Sequence, residues 1–212
     1  MEQASRIATA YVAYVLANDQ RPASVRQFAD TLSLSESQFY QHYASFEALE
    51  SAIFREYFED AINQLEGSAE YAQYDVATKI LSVYFTWLEA LTQHRSFVRF
   101  IDRQAGQGLE APAYQQGVKT EFLDFVRRIL KKGMESGEIA DRWFITRYYK
   151  DLLWANARFV FNYWLHDGSR SFEQTDAAIE KSVRFMLELM RPNAVDAGVD
   201  LARFLVSRGN KG

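Results

Sequence analysis

The chain predicts an all-α fold: a three-helix headpiece at the N-terminus followed by a larger helical body. Apolar residues recur at i, i+3, i+4 and i+7 in stretch after stretch between residues 4 and 190, which gathers them on one face of a helix. Ser24, Ser35, Ser45 and Asp75 stand where such stretches begin, as helix caps do. Aromatic residues make up 15% and prolines number three in 212 residues, a balance that suits a compact helical core.

Residues 4–18 form the first helix, with Ile7, Tyr11, Tyr14 and Val15 on its inner face. A polar break at 19–22 follows. In the next stretch Val25, Phe28, Ala29 and Leu32 share a face, and the spacing Ser24-x-x-Gln27 is that of a capping box, in which serine and glutamine satisfy amide groups the first turn leaves free. Ser35-x-x-Gln38 repeats the signal eleven residues on. Two short helices joined at Leu32-Ser33-Leu34 make a helix-turn-helix, a unit that sets its second helix in the DNA major groove. Ser45 caps a longer fourth helix with Phe46, Leu49, Ile53 and Tyr57 on one side, ending near 65–67.

The body begins at Asp75, before a stripe of Ile80, Val83, Tyr84, Trp87, Leu88 and Leu91. Residues 95–104 carry Phe97, Phe100 and Ile101, and the two glycines within 106–112 mark a loop. The following helix buries Phe122, Phe125, Val126 and Ile129 and ends at Gly137. Its Arg127-Arg128 and Lys131-Lys132 pairs read as a solvated outer face. Residues 143–166 form the most apolar helix, large on almost every side, so that burial on two sides follows. Gly168 closes it and Ser171-x-x-Gln174 offers a capping box to the last long helix, which carries Ile179, Val183, Met186, Leu187 and Met190 and stops at Arg191-Pro192. Residues 194–208 are amphipathic, with Val195, Val199, Ala202 and Val206 at helical spacing.

Composition excludes several classes of function. Cysteine is absent, so neither a disulfide frame nor a thiolate zinc site exists, and a reducing cytoplasm is the simplest setting. No stretch approaches the roughly 20 consecutive apolar residues of a membrane span, so a soluble, cytoplasmic protein is expected. The three histidines, His42, His94 and His166, lie on separate segments, and no metalloprotease helix, phosphate loop or nucleophile elbow occurs. No enzyme, catalytic residue, metal or cofactor is expected. Net charge is −4, and residues 1–60 hold four arginines against nine carboxylates, a local balance of minus five. Nucleic-acid binding ordinarily leaves a basic footprint, so the stretch expected to meet phosphate is the more acidic one.

Over about its first 60 residues the chain resembles the TetR family of bacterial transcriptional regulators. Ser24, Phe28-Ala29, the run from Ser35 to Tyr43 (SESQFYQHY) and Ser45-Phe46-Glu47-Ala48-Leu49 carry that resemblance. It departs at Glu36, where a basic or small residue is usual, and at Ser33, where a glycine is usual and a positive φ costs a serine more. The resemblance implies four parts: a helix-turn-helix DNA-binding domain at 1–45, a linking helix at 46–66, a helical effector-binding and dimerisation domain at 67–193, and an amphipathic C-terminal segment at 194–212. It implies a homodimer joined through helices 143–166 and 174–190, occupying operator DNA and released by a small apolar effector, as a repressor does.

Glutamine pairs bidentately with adenine, glutamate accepts from the cytosine amino group, and serine or tyrosine reaches phosphate. The DNA-binding set is therefore Ser24, Arg26, Ser35, Glu36, Ser37, Gln38, Tyr40, Gln41 and His42. Effector pockets are mostly apolar with a few polar groups, and the ligand-binding set is Trp87, Phe97, Phe100, Phe122, Phe125 and Trp154, with Arg103, Asn156 or Arg158 as polar anchors. A second use stays open: a TetR-fold module that binds lipid or protein without DNA, reaching a membrane surface through 194–208.

Overall fold

A computed structural model describes residues 2–105, 112–143 and 145–193. Among them are nine α-helices and no strand: α1 (Glu2–Asn18), α2 (Val25–Thr31), α3 (Glu36–Tyr40), α4 (Phe46–Glu66), α5 (Val76–Gln93), α6 (Arg95–Ala105), α7 (Gln115–Ser136), α8 (Tyr149–His166) and α9 (Glu173–Met190). The helical fold class is as the sequence predicts. The amphipathic stretch 194–208, and the loop at 106–112 save for Pro112, lie outside the described residues. The chain forms two compact units, one of residues 1–64 and 86–121, the other of 65–85 and 122–212.

In the first unit an aromatic cluster forms the centre of the headpiece. Phe28 meets Tyr11 edge-on at 5.8 Å and Phe39 at 6.3 Å between ring centroids. Phe46 stacks on Tyr11 at 5.2 Å and meets Phe39 at 5.7 Å. Each of the four helices α1 to α4 thus contributes at least one ring to a shared core, in the edge-on and stacked geometries aromatic rings favour. Buried beside them is Glu50, 1% exposed. Its Oε1 accepts from the Tyr11 hydroxyl at 2.6 Å and Arg21 Nε at 2.8 Å, and its Oε2 from Arg21 Nη2 at 2.6 Å. A buried charge persists when it is paired and hydrogen-bonded, and this one pins the start of α4 to α1 and to the connection after it. Farther along α4, Gly117 donates its N–H to Ser51 Oγ at 3.0 Å, and a Cβ at that glycine would stand 2.6 Å from the Ser51 carbonyl oxygen. A side chain of any size would therefore push the two helices apart.

In the second unit α8 and α9 pack as an antiparallel pair with Leu153, Ala157, Val160, Trp164, Ile179, Val183 and Leu187 buried. Two boundaries differ from the sequence reading. Residue 143 does not open a helix: Trp143 is 77% exposed in a turn and α8 starts at Tyr149. Arg142 explains the delay. Its guanidinium donates to the Leu189 and Arg191 carbonyls at 2.7 and 2.8 Å and to the Tyr149 hydroxyl at 3.0 Å. A cation on carbonyls at a helix end is a favourable C-terminal cap, and it holds Arg142 against the end of α9, ahead of α8.

Ser171 does not cap α9. Ser171 and Phe172 take φ of 52° and 60°, whereas an N-cap residue is extended. Asp167 does the work instead: its Oδ2 accepts from the Thr175 N–H at 2.9 Å and hydroxyl at 2.6 Å, and its Oδ1 from the Ser169 N–H at 2.7 Å. Burial opposes the charge, but these hydrogen bonds hold the Asp167 carboxyl well below the usual carboxylate range.

Candidate functional site

The helix-turn-helix forms with one full and one partial cap. Ser24 Oγ accepts from the Gln27 N–H at 3.1 Å, but the reciprocal half of the box is not made. At Ser35 both halves close: Ser35 Oγ accepts from the Gln38 N–H at 3.2 Å and Gln38 Oε1 from the Ser35 N–H at 2.7 Å. The turn between them needs a left-handed residue, and Ser33 supplies it at φ 57°. Leu34 then donates its N–H to the Ala29 carbonyl at 3.0 Å, closing the turn on α2.

This local geometry sorts the DNA-binding set. Ser24, Arg26, Ser35, Glu36, Ser37, Tyr40 and Gln41 are exposed. Phe39 is buried and faces the aromatic core. Gln38 is half-buried and its carbonyl oxygen is taken by the cap, so a bidentate pair with adenine requires it to leave that cap. His42 is half-buried, its Nε2 3.2 Å from Gln3 Oε1, which turns its ring toward α1. Tyr43 donates to the Ala4 carbonyl at 3.1 Å. Gln41 is thus the glutamine whose amide remains available.

Charge follows the same division. Arg21 is tied to Glu50 and, at 3.2 Å, to Glu47. Arg6 donates to the Leu32 carbonyl at 2.9 Å, and Arg55 lies 3.5 Å from Glu59. Among the described residues Arg26 makes no ion pair or side-chain hydrogen bond, and it stands exposed one residue into α2.

The ligand-binding set divides between the two units. Trp87, Phe97 and Phe100 are buried in the first, where Trp87 meets Phe58 at 5.7 Å and Phe97 meets Tyr11 and Phe54 at 6.3 Å each. Arg103 is exposed and pairs with Asp19 at 3.1 Å. In the second unit Phe122 contacts Trp154 at 5.6 Å and Tyr84 at 6.1 Å. Phe125 is buried, with the Arg128 guanidinium 5.8 Å from its ring. Arg158 is half-buried. Asn156 is 4% exposed and its Oδ1 has no hydrogen-bond partner among the described residues, an arrangement that costs stability unless a ligand or water satisfies it.

A family model described as "Tetracyclin repressor-like, C-terminal domain" matches residues 79–205. The chain belongs to the TetR family. Solved structures extend the likeness across the chain. A proposed TetR-family transcription regulator from Shewanella sp. PV-4 shares 15% identity with a TM-score of 0.58, covering 90% of this chain and 98% of its own. The fatty acid degradation regulator FadR of Bacillus halodurans shares 14% with a TM-score of 0.56, covering 88% and 99%. A protein of unknown function from Rhodococcus sp. RHA1 also shares 14% with a TM-score of 0.56, covering 89% and 95%. At these identities the likeness is one of fold. No curated protein matches the chain.

For a TetR-family chain, three features were not legible in the sequence: the Tyr11–Glu50–Arg21 network, the Arg142 cap and the role of Asp167. Each joins a polar residue to partners that sequence spacing does not pair. Among the described residues no helix is long and apolar enough to cross a membrane, and no group of three or more His, Asp or Glu side chains could hold a metal ion.

Proposed function

We propose that the chain is a dimeric transcriptional repressor: residues 1–45 bind operator DNA, 46–66 link, and 67–193 dimerise and take a small apolar effector that releases the DNA. The observation that carries this reading is the helix-turn-helix, whose second helix is capped at Ser35 and leaves Ser35, Glu36, Ser37, Tyr40 and Gln41 exposed. Gln41 reads an adenine edge, Glu36 meets a cytosine amino group, and Arg26, Ser24 and Tyr40 contact phosphate. Dimerisation is supported by the apolar side chains that α8 and α9 leave exposed: Phe159, Tyr163, Phe185 and Leu189. Covering them with a twin subunit removes apolar surface from water. The effector sits against Phe122, Phe125 and Trp154, and Asn156 supplies its polar contact. Release follows when the effector favours a headpiece separation that does not meet both half-sites.

The test is fluorescence anisotropy of labelled DNA flanking the chain's own gene, titrated at several salt concentrations. Arg6, whose hydrogen bond goes to a neutral carbonyl, and Arg26 are the headpiece arginines with no ion pair among the described residues. Two per headpiece give a dimer a slope of log K against log salt of about −4, and base contacts add the discrimination. Sequence-specific binding, lost in Gln41→Ala, supports the proposal. No preference for that DNA over random DNA refutes it.

The acidic headpiece favours a second reading, a TetR-fold module for lipid or protein without DNA. Liposome retention lost on truncation after Pro192, together with no DNA binding, would establish it in place of the first.

A further inference from the structure

A groove in the first unit, between the end of α1 and α6, pairs an apolar floor with an excess of positive charge. It holds about 360 Å³, at the lower end of ligand-sized clefts, which run from about 300 to 1,000 Å³. Val15 and Phe100 form the floor, and Leu16, 52% exposed, overhangs it. Val15 and Phe100 are themselves buried, so Leu16 is the apolar surface that the groove leaves wet. On the rim stand Asp19, Arg99 and Arg103. Arg99 and Arg103 are one turn apart on α6, where like charges repel. Among the described residues Arg99 has no ion-pair or hydrogen-bond partner, while Arg103 pairs with Asp19 at 3.1 Å in a bridge exposed on both sides. Such a bridge contributes little in water and is readily exchanged. Asp19 is held by its backbone, at φ 47° with its N–H donated to the Val15 carbonyl at 2.9 Å. An incoming anion can thus take Arg103 from Asp19 without unwinding the end of α1.

We infer that this groove is a binding site for a small amphipathic anion, its carboxylate bridging Arg99 and Arg103 and its short apolar tail lying on Leu16 and Phe100. Two guanidinium groups against one carboxylate, in a chain of net charge −4, make the rim a local attractor for negative charge. Guanidinium forks match carboxylate geometry, and a tail laid against Leu16 takes that exposed side chain out of water. The site is separate from the Phe122–Trp154 cluster and does not depend on DNA binding.

Octanoate is the probe, titrated into the ¹⁵N-labelled full chain without DNA while amide shifts are followed. Saturable shifts are expected at Leu16, Asp19, Ser96, Arg99 and Arg103. The Arg99→Gln/Arg103→Gln double variant should weaken binding at least tenfold, and octanol, with the same tail and no charge, should bind at least tenfold more weakly than octanoate. Asp19→Asn removes the competing carboxylate and should tighten binding several-fold, and asparagine tolerates the left-handed backbone. Equal binding of octanol, an unaltered affinity in the double variant, or saturable shifts only at other amides would overturn the site. An unchanged affinity in Asp19→Asn would overturn the exchange of partners on Arg103.

Discussion

Replacing Glu50 tests how the headpiece is held together. Glu50→Ala removes three hydrogen bonds, from Tyr11 at 2.6 Å and from Arg21 at 2.8 and 2.6 Å. The Tyr11 hydroxyl is then left buried without its partner, and the Arg21 guanidinium without its closest counter-charge. Breaking a buried pair costs about 3–5 kcal/mol. Arg21 keeps 30% side-chain exposure and Glu47 as a second partner, so part of its charge rehydrates and about 3 kcal/mol is the expected loss. In a chain of this size that lowers the melting temperature by about 6–12 °C, read by circular dichroism. Glu50→Gln keeps an acceptor for Tyr11 and should lose about half as much.

pH separates the charge from the shape. Burial raises the Glu50 carboxyl above its usual value against the hydrogen bonds from Tyr11 and Arg21. A raised folded value means stability that is present below the unfolded value, about 4.3, and lost as pH rises through the folded one. The wild-type advantage over Glu50→Gln should therefore shrink between pH 4 and neutrality. A melting temperature for Glu50→Ala within 1 °C of wild type, or an advantage that grows with pH over that window, would refute the account.

Other perturbations probe single features. Ser35→Ala removes the capping box of α3, a helix of only five residues, and should cost about 1 kcal/mol in urea denaturation, with affinity for the proposed operator DNA falling as well. Asp167→Asn should destabilise at neutral pH and converge with wild type in acid: a depressed folded value gives stability present above the unfolded value and lost as pH falls through the folded one. Phe159→Asp places a charge in the proposed dimer face and should yield a monomer by sedimentation, with helicity unchanged. Gly117→Ala forces a Cβ within 2.6 Å of the Ser51 carbonyl oxygen and should lower the thermal midpoint through a cost of about 1–3 kcal/mol.

The sequence by itself determined the features that depend on residues within a turn or two of one another. Val25, Phe28, Ala29 and Leu32 had to share a face, the Ser35 box closes over three residues, and the left-handed turn falls at Ser33. Tertiary structure decided what needs a distant partner. By sequence Glu50 is only one of the nine carboxylates of residues 1–60; Arg21, 29 residues away, and Tyr11, 39 away, meet it in the core. His42 also has a partner that spacing does not announce, Gln3, 39 residues away, whose Oε1 lies 3.2 Å from its ring. The apolar run at 143–148 suggested helix, yet Arg142 spends its donors on carbonyls at the end of α9, and Asp167 outcompetes the correctly spaced Ser171 at the start of that helix. Helical periodicity and caps are short-range and leave a record in spacing. Hydrogen bonds between residues far apart in the chain leave none, because any of several polar residues satisfies the same spacing until packing chooses one.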